Sequence, residues 1–275
     1  MATIRRRFFI ATVCALVLTG CASRQSPEDY KPARGQAGKD VIWLPTAQTV
    51  VDRMLDMAKV SAGDYLVDLG SGDGRLVITA AKRGARAHGI EFNPDLVALS
   101  RRTARAEGVA GRATFEQADI FESDFSKATV VTLFLLPELN LKLRSTLLAM
   151  KPGTRVVSNS FSMEGWQPDQ MAEVREGCVG HCNAFLWTVP APVRGRWRMG
   201  DRELVLEQSY QVLEGTLRGG GGGGAVSALP VQAGRLDGEA IVFTIGGRRH
   251  TGRVSGDTMS GTVEGGAGWT ATRIR

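Results

Sequence analysis

Between residues 65 and 161, short apolar runs alternate with stretches whose apolar residues recur every three or four positions. The runs YLVDL (65–69), RAHGIEF (86–92), ATFEQADIF (113–121), TVVTLFLL (129–136) and TRVVSNSF (154–161) predict five strands. The stretches LVITAAKRGA (76–85), LVALSRRTARAEG (96–108) and ELNLKLRSTLLAM (138–150) predict the intervening helices, two of them announced by Asn93-Pro94-Asp95 and Pro137. The run 129–136 is apolar nearly throughout, as befits a parallel strand covered on both faces. Strand and helix in strict alternation mean an α/β, doubly wound, Rossmann-like sheet, with ligands at the C-terminal strand ends. Upstream, VIWLPTAQTVVDRMLDMAKV (41–60) predicts one more helix, with Val50, Val51, Met54, Leu55 and Ala58 on its inner face after a Pro45-Thr46 start.

After residue 161 the periodicity changes. GWQPDQMAEVREGCVGHCN reads as a short helix or loop, and AFLWTV (184–189) as a strand. From 191 onward, RGRWRM, ELVLEQSYQVLEGTL, RLDGEAIVFTI, RRHTGRVS, DTMSGTVEG and GWTATRIR are short alternating runs split by glycines, with Gly219–Gly224 as a loop. Such spacing predicts a small antiparallel all-β domain, a sheet or a barrel, with Trp197 and Trp269 in its core.

The N-terminus is set apart by its own pattern. Residues 1–21 place Arg5, Arg6 and Arg7 before an apolar run ending in Leu18-Thr19-Gly20-Cys21, which resembles the lipobox of bacterial lipoproteins, and the Arg6-Arg7-Phe8-Phe9 sequence resembles a twin-arginine export signal. The resemblance implies lipidation at Cys21 and a lipid-anchored, periplasm-facing protein in the bacterial envelope, with Ala22 favouring the outer membrane. Residues 22–40 are polar, aperiodic and proline-containing, the composition of a tether. The expected division is therefore 1–20 signal, 21–40 tether, 41–190 α/β domain and 191–275 β domain. The chain of 275 residues has 43% hydrophobic and 23% charged residues, ordinary for globular domains. Its formal net charge of +6 falls to about +3 without Arg5, Arg6 and Arg7, too mild to suggest a nucleic-acid partner.

Candidate chemistry lies in DLGSGDGR (68–75), where a strand runs into glycines and then a helix. Glycines let backbone N–H groups approach a ligand and permit positive φ. The spacing is G-x-G-x-G rather than the dinucleotide-binding G-x-G-x-x-G, and Asp68 two residues ahead would repel a pyrophosphate while suiting a cationic ligand. These residues resemble the first motif of class I S-adenosylmethionine (SAM) methyltransferases. The resemblance implies that Asp68, Gly70, Ser71, Gly72 and Gly74 hold the methionine and ribose portions of SAM. Glu91, at the end of the next strand, is placed to accept from the ribose hydroxyls, with Asn93 beside it. Asp119 and Ile120 would meet the adenine amino group and ring face.

Methyltransferases of planar nitrogen carry an Asn/Asp-Pro-Pro-aromatic sequence after the fourth strand, where this chain has Phe134-Leu135-Leu136-Pro137. An apolar mouth leaves amide and exocyclic amine groups without partners. LFLLPELNLKLRSTLLAMKPGTRVVSNSF, together with LPTAQTVVDRMLDMA, is similar to the lysine methyltransferases that include those acting on the mitochondrial ATP synthase c-subunit and their prokaryotic relatives. This similarity, over roughly residues 41–165, implies transfer to a protein lysine, with Leu135, Leu136 and Pro137 as candidate acceptor-pocket residues and no evident general base. A small-molecule methyltransferase, or a silent scaffold whose β domain binds a partner, are the alternatives. Cys178 and Cys182 either form a bridge or join His181 in a metal site.

Overall fold

The computed structural model describes residues 30–219 and 228–275. The signal segment, Cys21 and most of the Gly219–Gly224 loop lie outside the described residues.

The α/β part opens with α1 (Gln48–Met57), whose Val50, Val51, Met54 and Leu55 are buried as the periodicity predicts. It continues through β1 (Tyr65–Leu69), α2 (Arg75–Lys82), β2 (Arg86–Glu91), α3 (Pro94–Ala106), β3 (Ala113–Gln117), β4 (Val130–Leu133), α4 (Pro137–Leu148) and β5 (Arg155–Asn159). An antiparallel hairpin, β6 (Gln170–Glu173) and β7 (Asn183–Thr188), completes a seven-stranded sheet in the order β3-β2-β1-β4-β5-β7-β6. The strand order reverses between β1 and β4, so the C-terminal ends of β1, β2 and β4 open onto a common crevice. Two predictions need correcting. The segment around residues 170–173 is an edge strand and not a helix or loop, held by pairs such as Ala172 with Ala184. The fourth strand stops at Leu133, its last pair with both neighbours, where β1 turns away after Leu69; the extended Leu136 (φ −60, ψ 155) before Pro137 then sets the start of α4.

At the opposite end of the sheet from the crevice, Asp64 accepts from Ser61, Thr129 and Arg155, joining the start of β1 to β5. Burial raises its pKa, but those hydrogen bonds and the guanidinium outweigh it and hold the carboxyl below its ordinary value.

The second part is a closed barrel. Strands β8 (Gly195–Met199), β9 (Arg202–Ser209), β10 (Val212–Arg218), β11 (Ala228–Asp237), β12 (Ala240–Ile245), β13 (Arg248–Ser255), β14 (Thr258–Val263) and β15 (Gly268–Arg273) pair in sequence, and β15 returns to β8. Closure removes exposed edges, and alternate residues fill the interior: Trp197, Leu204, Leu206, Phe243 and Trp269 are buried. The barrel joins the α/β part through Gln211, which donates to Gln167 O, through the Arg235–Asp169 ion pair, and through Tyr210 stacked on Trp166. Among the described residues no helix is long and apolar enough to cross a membrane.

Candidate active site

The crevice is built from strand ends. At the end of β1 the chain turns through Gly70, Ser71 and Gly72, with Gly70 N and Ser71 N both donating to Ile90 O of β2. Gly72 has φ +54, and a Cβ there would lie 2.7 Å from Trp43 Nε1, so only glycine lets Trp43 rest on the loop. Gly74, the N-cap of α2, serves differently: a Cβ would lie 2.7 Å from Phe115 Cε1 and Ser100 Oγ, so this glycine allows the helix to pack on the sheet and is not part of the cleft wall.

The loop is held from β2. Glu91 Oε2 accepts from Gly72 N and Oε1 from Asn93 N, each at 2.8 Å. Asn93 Oδ1 in turn caps α3 by accepting from Asp95 N at 2.9 Å. Asp68 is 6% exposed and accepts from Thr132 Oγ1 at 2.6 Å. Among the described residues no donor reaches its second oxygen. Burial, opposed by the Thr132 hydrogen bond and reinforced by the negative charges of Glu91 and Asp73, pushes the Asp68 carboxyl up to about 7. Ser71 Oγ is also buried without a partner. Asp119, in the turn beyond β3, forms an ion pair with Lys39 and accepts from Phe121 N, which together hold its carboxyl below the ordinary value.

Asp68, Gly70, Ser71, Gly72, Glu91, Asn93, Asp119, Ile120 and Leu135 all line one cleft, which holds about 1030 Å³ of empty space, part of it open to solvent. Leu136, 37% exposed, and Pro137 do not line it; they are the N-cap and first residue of α4. The apolar wall consists instead of Leu133, Phe134, Leu135 and Leu139. Residues 36–46, partly read from sequence as tether, fold as a strap across the mouth, closed by the Ala37–Ile42 bridge and by Trp43 N donating to Gln36 O. Trp43 and Lys39 escape sequence reasoning because they precede any periodic element. Thr132 carried a signal, as a polar residue within an apolar strand. Cys178 and Cys182 are bridged. The bridge takes up both sulfurs and ends the metal-ligand reading of Cys178, His181 and Cys182.

Comparison with known proteins agrees with this architecture. The profile described as the ANTKMT methyltransferase domain matches residues 68–170. A protein-lysine N-methyltransferase of Saccharolobus islandicus (strain REY15A) is 44% identical over 152 residues, covering 54% of this chain and 94% of that protein. The chain belongs to this methyltransferase family. The human lysine N-methyltransferase of the ATP synthase c-subunit is 38% identical over 130 residues, 47% of this chain and 55% of that protein, so this chain spans about half of its length. A crystal structure described as an RNA methyltransferase from Salinibacter ruber, in complex with S-adenosyl-L-homocysteine, is 48% identical, with TM-score 0.51, covering 55% of this chain and 96% of the other. The methyltransferase thus depends on SAM, and its cleft fits that cofactor: a buried carboxylate with one oxygen that no donor among the described residues reaches lies beside a glycine turn.

Proposed function

We propose that this protein is a SAM-dependent protein-lysine N-methyltransferase. The observation that carries the reading is the opposition of two walls in one cleft, carboxylates from β1, β2 and the turn after β3 against an apolar edge after β4. When bound, SAM supplies an electrophilic methyl on a sulfonium, which passes to an amine nitrogen as the thioether leaves.

On this reading Asp68 draws the positive methionine end to the end of β1, and Glu91 accepts from the ribose hydroxyls with lone pairs not used by Gly72 and Asn93. Asp119 and Ile120 receive the adenine. The wall of Leu133, Phe134 and Leu135 offers no hydrogen-bond partner to a planar amide or base. It suits an acceptor whose nitrogen reacts as the neutral amine, and a lysine ammonium, with pKa near ~10.4 in water, loses its proton more readily once it moves against these apolar side chains. Transfer should therefore rise with pH between about 7 and 9. The test is to incubate the full chain with methyl-labelled SAM and an envelope extract, then to locate the label by mass spectrometry. Label on lysine Nε supports the reading; label on RNA, on a carboxylate or only on a small metabolite would sink it.

Lys39 holds the Asp119 carboxylate in an ion pair, which an adenine amino group would have to share or displace. Lys39→Ala should therefore tighten SAM binding a few-fold in calorimetry, and unchanged or weaker binding would mean that Asp119 is not an adenine partner. The lipobox resemblance supports export and lipid attachment at Cys21. Wild type should fractionate with membranes and Cys21→Ser should not; equal partition of the two would contradict the anchor.

A further inference from the structure

Beside the apolar wall, three rings from separate parts of the chain converge. Phe134 follows β4, Phe161 follows β5, and His181 sits in the turn between β6 and β7. Because β7 runs antiparallel to β5, its start lies at the same sheet edge as the ends of β4 and β5. Ring centroids are 5.2 Å apart for Phe134 and His181, 5.8 Å for Phe161 and His181, and 6.2 Å for the two phenylalanines. Phe134 lines the cofactor cleft, both phenylalanines are half-buried, and His181 is exposed. The cluster therefore continues the cleft outward.

Several contacts fix these rings. Asn140, buried in α4, donates to Phe161 O and Ser162 O at 3.3 Å. Ser160 and His181 both take left-handed backbone conformations, φ 63 and 56, which non-glycine residues adopt at a cost. His181 is held there by the Cys178–Cys182 bridge around it, by Val174 N donating to Cys182 O at 2.8 Å, and by Thr49 Oγ1 donating to Gly177 O at 3.2 Å. Aromatic faces attract an ammonium and also cover methylenes, which is the chemistry of a lysine side chain.

We propose that Phe134, Phe161 and His181 form the acceptor subsite, a three-ring platform that receives the target lysine side chain and whose exposed ring is held by the Cys178–Cys182 bridge. This rests on the lysine-transfer reading above. The bridge makes the platform redox-sensitive: a dithiol that exchanges with it, leaving two cysteine thiols and its own disulfide, frees His181 to leave its left-handed conformation and loosens the acceptor site while the cofactor walls stay intact.

The test uses the full chain, poly-L-lysine as acceptor and S-adenosyl-L-homocysteine as cofactor-site probe. Phe161→Ala and His181→Ala should each raise KM for poly-L-lysine roughly tenfold, the order expected for loss of a cation–π partner. Affinity for S-adenosyl-L-homocysteine should stay within about twofold. Phe161→Tyr should restore KM and Phe161→Leu, apolar but without a π face, should not. Dithiothreitol should raise the wild-type KM at least about threefold and leave a Cys178→Ser/Cys182→Ser double variant, already weakened, unchanged. Equal KM values in wild type, Phe161→Ala and His181→Ala would overturn the platform while leaving lysine transfer intact. As a readout independent of turnover, n-butylammonium titrated into the protein with S-adenosyl-L-homocysteine should shift the His181 ring NMR signals, and not in Phe161→Ala. That shift without transfer to lysine would sink the lysine reading and leave the three rings as an ammonium-binding site; no shift in the wild type would overturn the platform.

Discussion

Asp68→Asn is expected to make the ligand-free protein more stable at pH 8 and to weaken SAM binding by about a hundredfold or more. The carboxyl is buried at the end of β1 and its pKa is pushed up to about 7, against an ordinary value of 3.8. A folded pKa above the unfolded one means a contribution that is fully present below the unfolded pKa and lost as pH rises through the folded pKa, here from about pH 4 to above 7. The shift corresponds to a penalty on the order of 4 kcal/mol at pH 8. Asparagine keeps an oxygen for Thr132 Oγ1 and removes the charge. Thermal unfolding at pH 8 should therefore move upward by several degrees while calorimetry with SAM loses its signal. Retained SAM affinity would mean that the buried charge has another purpose.

Gly72→Val is the second large effect. The residue has φ +54, so any side chain costs roughly 1–2 kcal/mol in backbone strain. Its Cβ would also lie 2.7 Å from Trp43 Nε1, and the strap across the mouth would have to lift. SAM affinity should fall about a hundredfold or more, with far-ultraviolet circular dichroism unchanged because the sheet and barrel cores are not touched. The same variant should open residues 36–46 to faster amide exchange. Normal exchange there, with full SAM affinity, would show that the strap does not rest on the glycine turn.

The sequence was most informative where local pattern and tertiary role coincide. In the strands at 65–69 and 130–133, burial on both faces demands nearly continuous apolar residues, so Leu66, Val67, Val130 and Val131 mark their own positions in the sheet. That Asp68, Glu91 and Asp119 share one cleft was legible because each lies at or just beyond the end of a strand, and strand ends of a parallel sheet meet at one edge. The sequence does not reveal where β4 gives way to the helix, and so not that Leu136, the N-cap of α4, and Pro137 lie outside the cofactor cleft while Leu139 of the same helix returns to its wall. Lys39 and Trp43 were hidden in an aperiodic stretch whose order comes from packing on the glycine turn and pairing with Asp119. Phe161 and His181 are far apart in the chain and meet only through the β6–β7 hairpin, a pairing that no local periodicity encodes.

A buried Asp68 must ionise to hold a cationic cofactor, and the most direct measurement of this is calorimetric titration of the full chain with SAM at about pH 5.5 and about pH 7.0. With a carboxyl pKa of about 7, the ionised fraction rises by roughly an order of magnitude over this interval, and SAM affinity should rise about tenfold with it. Affinity that is equal at the two values, or higher at the lower one, would contradict a binding role for the Asp68 charge.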